Sequence, residues 1–404
     1  MHLLLRHHGL AYPTPVALSY WWNLGFIAGM ALLSQMVTGI FLAMHYLPSA
    51  HLAFASVEHI MRDVSGGWLL RYWHANGASL MFAVVYLHMA KGLYHSSFTA
   101  PRQYVWLVGV MILFIMIITA FIGYVLPWGQ MSLWGATVIT NLASAVPLVG
   151  SVVVQWLWGG FTVSDATLVR FYSLHYALPF GIAALALVHL QLLHAVGSSN
   201  PVGVHAAVDT VSLYPAFVLK DIVGMLAVLF AFVAIVAFAS NMLGHCDNYV
   251  AANHLVTPVH IVPEWYFLPY YAVLRSVPHK LMGVVCMMAS IAVLAVLPLL
   301  QYRKVRALRC HPASRALLML VGFCWLTLGW VGGMPVDEPF VLIGQCTSIY
   351  YFCHWLCIVP LSDAIESMLF QREEGKAMCA ESVLILISMK SKTMKVAQSL
   401  TARR

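Results

Sequence analysis

Charged side chains make up 9% of the 404 residues, against about 25% in soluble domains. That scarcity excludes a soluble globular protein. Disorder is excluded as well, because 61% hydrophobic and 12% aromatic residues cannot stay solvated. Acids are few: 14 Asp and Glu face 21 Lys and Arg, a formal charge of +7. In so apolar a chain this balance points to membrane topology and not to nucleic acid. None of the eight cysteines forms C-x-x-C, so no c-type haem is attached here and no cysteine pattern holds an iron–sulfur cluster. The thiols read as packing residues. The start of the chain carries neither a secretory signal nor an Arg/Ser-rich transit stretch, which implies insertion by the compartment that made it.

What is present is a series of long apolar runs. Eight are long enough to span a bilayer: Leu24–His45, Trp68–Tyr94, Tyr104–Leu126, Leu168–Val196, Ile222–Ala239, Met282–Leu300, Ala316–Gly333 and Phe340–Leu361. Leu133–Val149 and Val152–Phe161 are shorter and broken by Gly or Pro, so they read as surface or packed helices. With eight spans, the side holding both termini carries 16 of the 21 Lys and Arg and is the cytoplasm-like face. There is no internal repeat. The subdivision falls after Pro201: residues 1–205 form a histidine-bearing four-helix bundle, residues 206–370 a second four-helix region, and residues 371–404 a charged extension.

Ionisable residues at membrane depth are rare and usually functional. The second span holds His74 and His88, and the fourth holds His175 and His189. Each pair is 14 residues apart, about 40° short of four full turns and about 21 Å along the axis. Each pair therefore lies on one helix face near opposite surfaces. One intervening span makes the two helices parallel, so His74 faces His175 and His88 faces His189; were one of the two shorter runs to span instead, the helices would be antiparallel and the pairing would cross. Facing imidazoles suit the axial positions of a haem iron, and filling both leaves no oxygen site. The competing reading is a set of hydrogen-bonded core histidines. Zinc and di-iron sites lack their motifs on these spans.

Gly25 and Gly39 on the first span repeat the same 14-residue period, as do Gly109 and Gly123 on the third. Glycine lets a flat macrocycle approach the backbone, or lets two helices pack closely. Arg71 and Lys91 flank the histidines, where propionates need cations.

The run Arg71–Ser79 (RYWHANGAS) resembles the second-helix motif of the cytochrome b family, the haem subunit of ubiquinol–cytochrome c oxidoreductase. Gly123–Ser132, Trp134–Leu142, Trp158–Phe161, Pro263–Tyr266 and Leu274–Pro278 match in order. The resemblance covers roughly residues 10–370. It implies an all-α membrane protein of eight transmembrane helices with two haem b groups. His74 and His175 resemble the low-potential ligands near the positive side, and His88 and His189 the high-potential ligands near the negative side. The chloroplast relative is split in two, and its fourth-helix histidines are one residue further apart. A single chain with a spacing of 14 fits the respiratory form, a multi-pass protein of the mitochondrial inner membrane.

The resemblance places a quinol-oxidation pocket between Gly123–Asn141 and Pro263–Arg275. Phe121, Tyr124, Gly135, Ile139, Tyr266, Phe267 and Tyr271 belong to it. Glu264 is a carboxylate on an aromatic stretch. Burial should raise its pKa towards neutrality, so that it accepts a quinol proton. The alternative is a carboxylate capping a loop helix. On the opposite side, the family places quinone reduction among His194, Ser198, Lys220, Asp221 and Trp22. Asp221 begins the fifth span and also reads as a first-turn acid.

Departures from the pattern are Lys91, where the family has Arg, Ala195–Val196 after His194, and Phe26 near the reduction pocket. The mechanism implied is ubiquinol oxidation at the positive face. One electron goes to an iron–sulfur partner and the other crosses two haems to a quinone, with proton translocation. Expected partners are the Rieske iron–sulfur protein, cytochrome c1, other subunits of the complex, a dimer mate and membrane lipid. Two other readings stay open: a haem anchor for a dehydrogenase, and a non-haem transporter with histidine proton relays, which would be expected to show repeat symmetry.

Overall fold

The computed structural model describes residues 9–203, 209–301, 306–308 and 311–370. The charged extension at 371–404 lies outside the described residues. Apolar segments become helices because, in lipid, backbone groups must be satisfied within the segment. The described helices are α1 (Leu24–Ala43), α2 (Ala53–Arg62), α3 (Gly67–Tyr94), α4 (Gln103–Val125), α5 (Gln130–Asn141), α6 (Gly150–Trp158) and α7 (Asp165–Val196). They continue with α8 (Ala216–Phe238), α9 (Leu268–Arg275), α10 (Lys280–Leu300), α11 (Pro312–Gly332), α12 (Phe340–Cys353) and α13 (Val359–Phe370). A π-helical turn, His354–Ile358, joins α12 to α13. One two-stranded antiparallel sheet ties β1 (Pro13–Pro15) to β2 (Thr210–Ser212).

Every expected span corresponds to a helix. Seven are long and apolar enough to cross a membrane. The exception is α3, which at 28 residues is about 42 Å long, more than a bilayer core requires. Its apolarity is diluted by Arg71, His74, Asn76, Ser79, His88 and Lys91. The residues that bear the candidate chemistry are also the ones that make this span the least apolar of the eight. The two short runs form α5 and α6, as expected of non-spanning helices. The fifth span begins at Ala216, six residues before the predicted start. Asp221 therefore lies beyond the first turn, and the first-turn reading of this acid falls away.

The main core joins Phe82 on α3, Leu113 on α4, Leu297 on α10, Leu328 on α11 and Tyr351 on α12. A second cluster packs Trp128, Leu133 and Leu168 where the α4–α5 turn meets α7. Only 6% of the apolar window of α7 is buried, and 11% of that of α8. Their outer faces are apolar and open, as suits lipid or neighbouring subunits.

Candidate functional site: two histidine couples and three cavities

Antiparallel neighbours α1 and α3 place Gly39 against His74 and Gly25 against His88. The antiparallel pair α4 and α7 places Gly123 against His175 and Gly109 against His189. A Cβ on these glycines would stand 3.1, 3.3, 2.2 and 3.2 Å from the Cε1 of the facing ring, in the order given. The expected close approach is thus made by the imidazoles themselves. The rings of His74 and His175 lie 6.2 Å apart, centroid to centroid, at 85°. Those of His88 and His189 lie 6.4 Å apart at 61°.

This spacing tests whether the residues fit a haem. Metal–imidazole bonds are about 2.0–2.1 Å long and a ring nitrogen lies about 1 Å from its centroid, so two rings on one metal ion sit about 6 Å apart. Both couples match. A cavity of about 460 Å³ borders the His74–His175 couple, lined also by Arg71, Tyr124, Tyr249 and Glu264. A second, of about 120 Å³, borders the same couple with Gly39 and Tyr172. Gln35, Arg71, Gly123 and Pro179 line both, so Arg71 sits where an anionic edge would need a cation. Lys91 holds its Nζ 4.3 Å from the Trp22 ring centroid.

A third cavity, of about 30 Å³, gathers Phe121, Tyr124, Gly135, Ile139, Glu264, Phe267 and Tyr271. Gly135 opens onto free space there, since a Cβ would meet nothing within 4 Å. Glu264 and Tyr124 line both this cavity and the 460 Å³ one. Tyr266 does not line the third cavity. It is buried and stacks on Phe82 with centroids 4.1 Å apart. Glu264 precedes a short 3-10 turn, but its side chain makes no capping bond, so the capping alternative has no support. Burial pushes its pKa up to about 7, against the pull of the Tyr124 hydroxyl and the Arg71 guanidinium. The Tyr124 hydroxyl is buried beside the Glu264 carboxylate. Burial and the nearby Glu264 hold the Tyr266 phenol well above its ordinary value.

On the opposite side the residues form three small groups. His194 stacks on Tyr12, 4.2 Å between centroids, and Arg102 donates to the carbonyls of Gly197 and Ser198. Trp22 packs against His95 and Lys91. The Lys220 ammonium donates to the Leu18 carbonyl, and Asn23 donates to the Lys220 carbonyl at 2.8 Å. The described contacts do not close one pocket around His194 and Asp221. Sequence reasoning missed Tyr12 and assigned no role at this face to Arg102. Its proximity to Gly197 and Ser198 is a tertiary fact with no local signal.

The chain is similar to known proteins over most of its length. Residues 10–197 match the family Cytochrome b/b6/petB, and residues 251–352 match Cytochrome b(C-terminal)/b6/petD. The chain is 56% identical to a cytochrome b of Chondrus crispus over 91% of its own length and 97% of the relative's. It is 55% identical to one of Triticum aestivum over 88% and 89%. A solved chain of a hyperthermophilic respiratory complex III superposes with a TM-score of 0.86 at 32% identity, covering 91% of this chain and 97% of that one. With two facing histidine couples and a match running through nearly the whole length, the chain belongs to the cytochrome b family, the membrane electron-transfer subunit of the quinol–cytochrome c oxidoreductase of respiratory complex III.

Proposed function

We propose that this chain holds two b haems, one between His74 and His175 and one between His88 and His189, and works between two quinone sites on opposite faces. The observation that carries the reading is the pair of 6.2 and 6.4 Å couples set at two depths. Bound there, the haems supply one-electron carriage from one face to the other.

Quinol oxidation belongs to the cavity of Phe121, Tyr124, Gly135, Ile139, Glu264, Phe267 and Tyr271, with Tyr266 as a buried support. The aromatic and aliphatic walls exclude water from the quinol ring. Glu264 accepts a hydroxyl proton at its carboxylate oxygen. It also lines the 460 Å³ cavity beside Arg71 and Tyr249, so the proton can leave on that side without crossing the membrane. The Tyr124 hydroxyl orients the carboxylate or the quinol oxygen. Quinone reduction belongs to the face of Trp22, His194, Ser198, Lys220 and Asp221, where His194 and Asp221 donate protons. Arg71 and Lys91 balance anionic haem edges, and Gly25, Gly39, Gly109 and Gly123 make room for the ligand rings. Residues 1–205 carry the haems, and residues 206–370 complete the quinone pockets.

The chain works within its complex. The first electron goes to a Rieske iron–sulfur subunit and on to cytochrome c1, the complex is dimeric, and the site of action is the mitochondrial inner membrane. The test is a redox titration of membranes containing this chain. Two b-type components are expected. Loss of one in a His74→Leu variant and of the other in a His189→Leu variant supports the pairing, and a single component in the unaltered chain overturns it.

A further inference from the structure

The His74 imidazole is gripped by α1 at two points. Gly39 lies under its Cε1, and the Thr38 hydroxyl lies 2.9 Å from its Nδ1. That hydroxyl is buried and already commits its proton to the Ser34 carbonyl at 2.8 Å. A hydroxyl that donates to one partner accepts from another, so the Nδ1 of His74 carries the hydrogen and donates to Thr38. The tautomer then leaves Nε2 without a hydrogen, its lone pair free to bind a metal ion. On the facing helix the His175 Nδ1 donates to the Thr119 carbonyl at 2.8 Å. The other couple differs. The Val105 carbonyl is the nearby acceptor for the His189 Nδ1, but no hydrogen bond of good geometry forms.

The geometry points to Thr38 as a positioning residue that acts through His74: it holds the ring in one tautomer and makes His74 a stronger donor to the haem iron. The physical reason is general. A ligand histidine that donates its second N–H to an acceptor becomes more basic. A more basic axial ligand stabilises the oxidised iron and lowers its potential. The Thr38 bond thus pulls the potential of the His74–His175 haem downwards, while the other haem is untouched. The inference rests on the haem assignment proposed above.

The test uses the assembled complex in its membrane, with Thr38→Val and Thr38→Ser variants. The readouts are a redox titration of both b haems and the low-temperature electron paramagnetic resonance of the oxidised iron. Thr38→Val keeps the shape but removes the acceptor. It is expected to shift the reduction equilibrium of one haem about tenfold towards the reduced form, which is 59 mV for one electron, and to move only that haem's resonance. Thr38→Ser keeps the hydroxyl and is expected to leave both unchanged. An unshifted Val variant, an equal shift of both haems, or a Ser variant that shifts as far as Val overturns the inference. Should Thr38→Val fail to assemble, Thr38→Ala, which also removes the acceptor but adds no bulk, takes its place and is held to the same one-haem shift. The His74→Leu variant separates the two failures. If it leaves both haems in place the assignment itself is wrong, and if it removes one while Thr38→Val shifts nothing, only the present inference falls.

Discussion

Gly123 on α4 lies directly beneath the imidazole of His175 on α7, so closely that a Cβ there would stand 2.2 Å from Cε1 and 2.6 Å from Nδ1. Gly25 is more tolerant, with 3.3 Å to the Cε1 of His88. Real contacts do not survive at the first distance, whereas a few tenths of an ångström of movement relieves the second. Gly123→Ala should therefore displace His175 and remove one b-type component from the difference spectrum. Gly25→Ala should retain both. Retention of both components in Gly123→Ala would show that α7 can slide away from α4.

Glu264, with its pKa raised to about 7, is mostly protonated at pH 6 and mostly ionised at pH 8. Only the ionised form accepts a proton. Quinol oxidation should rise with pH through an inflection near neutrality. Glu264→Gln should lose that inflection and slow the reaction about 10²-fold, the lower end for a positioned base. The pH profile of quinol-dependent haem reduction checks both.

Gly135 opens onto the small aromatic cavity. Gly135→Val fills space that a quinol ring needs. It should weaken a quinol-site inhibitor at least tenfold, about 1.4 kcal/mol, while leaving both haem spectra in place. Inhibitor titration of electron transfer measures this. Unchanged affinity would place the quinol elsewhere.

At the far end of the last span, His311 Nδ1 lies 2.8 Å from the Glu366 carboxylate, with side chains 3% and 7% exposed. Ser314 donates to the same carboxylate from its backbone N–H at 3.0 Å and its hydroxyl at 2.7 Å. Removing one partner of a buried pair costs about 3 kcal/mol or more. Glu366→Ala should lower the thermal midpoint of haem release in detergent. Glu366→Gln, which keeps an acceptor for Ser314, should lose less.

Much of this protein is legible in the order of its residues, because membrane helices obey strong local rules. A backbone without water must close its own hydrogen bonds, so each long apolar run became helical, although the fifth span starts six residues early and the last continues through a π-helical turn to Phe370. The 14-residue histidine period and the parity of the spans fixed which rings share a depth. The motifs from Arg71 to Pro278 carry the family resemblance in the sequence alone. What stayed hidden depends on contacts between distant segments. Thr38 looks like one more small residue on α1 until α3 brings His74 against it. Glu264 and Tyr124 are 140 residues apart in the chain, and only the packing of the Pro263–Tyr266 segment against the end of α4 sets them in the wall of one cavity. Tyr12 and His194 stack although most of the first seven helices lies between them in the chain. Local pattern determined the helices and their depths. Side-chain neighbours across helices, which decide hydrogen bonds, burial and proton affinity, came from tertiary packing alone.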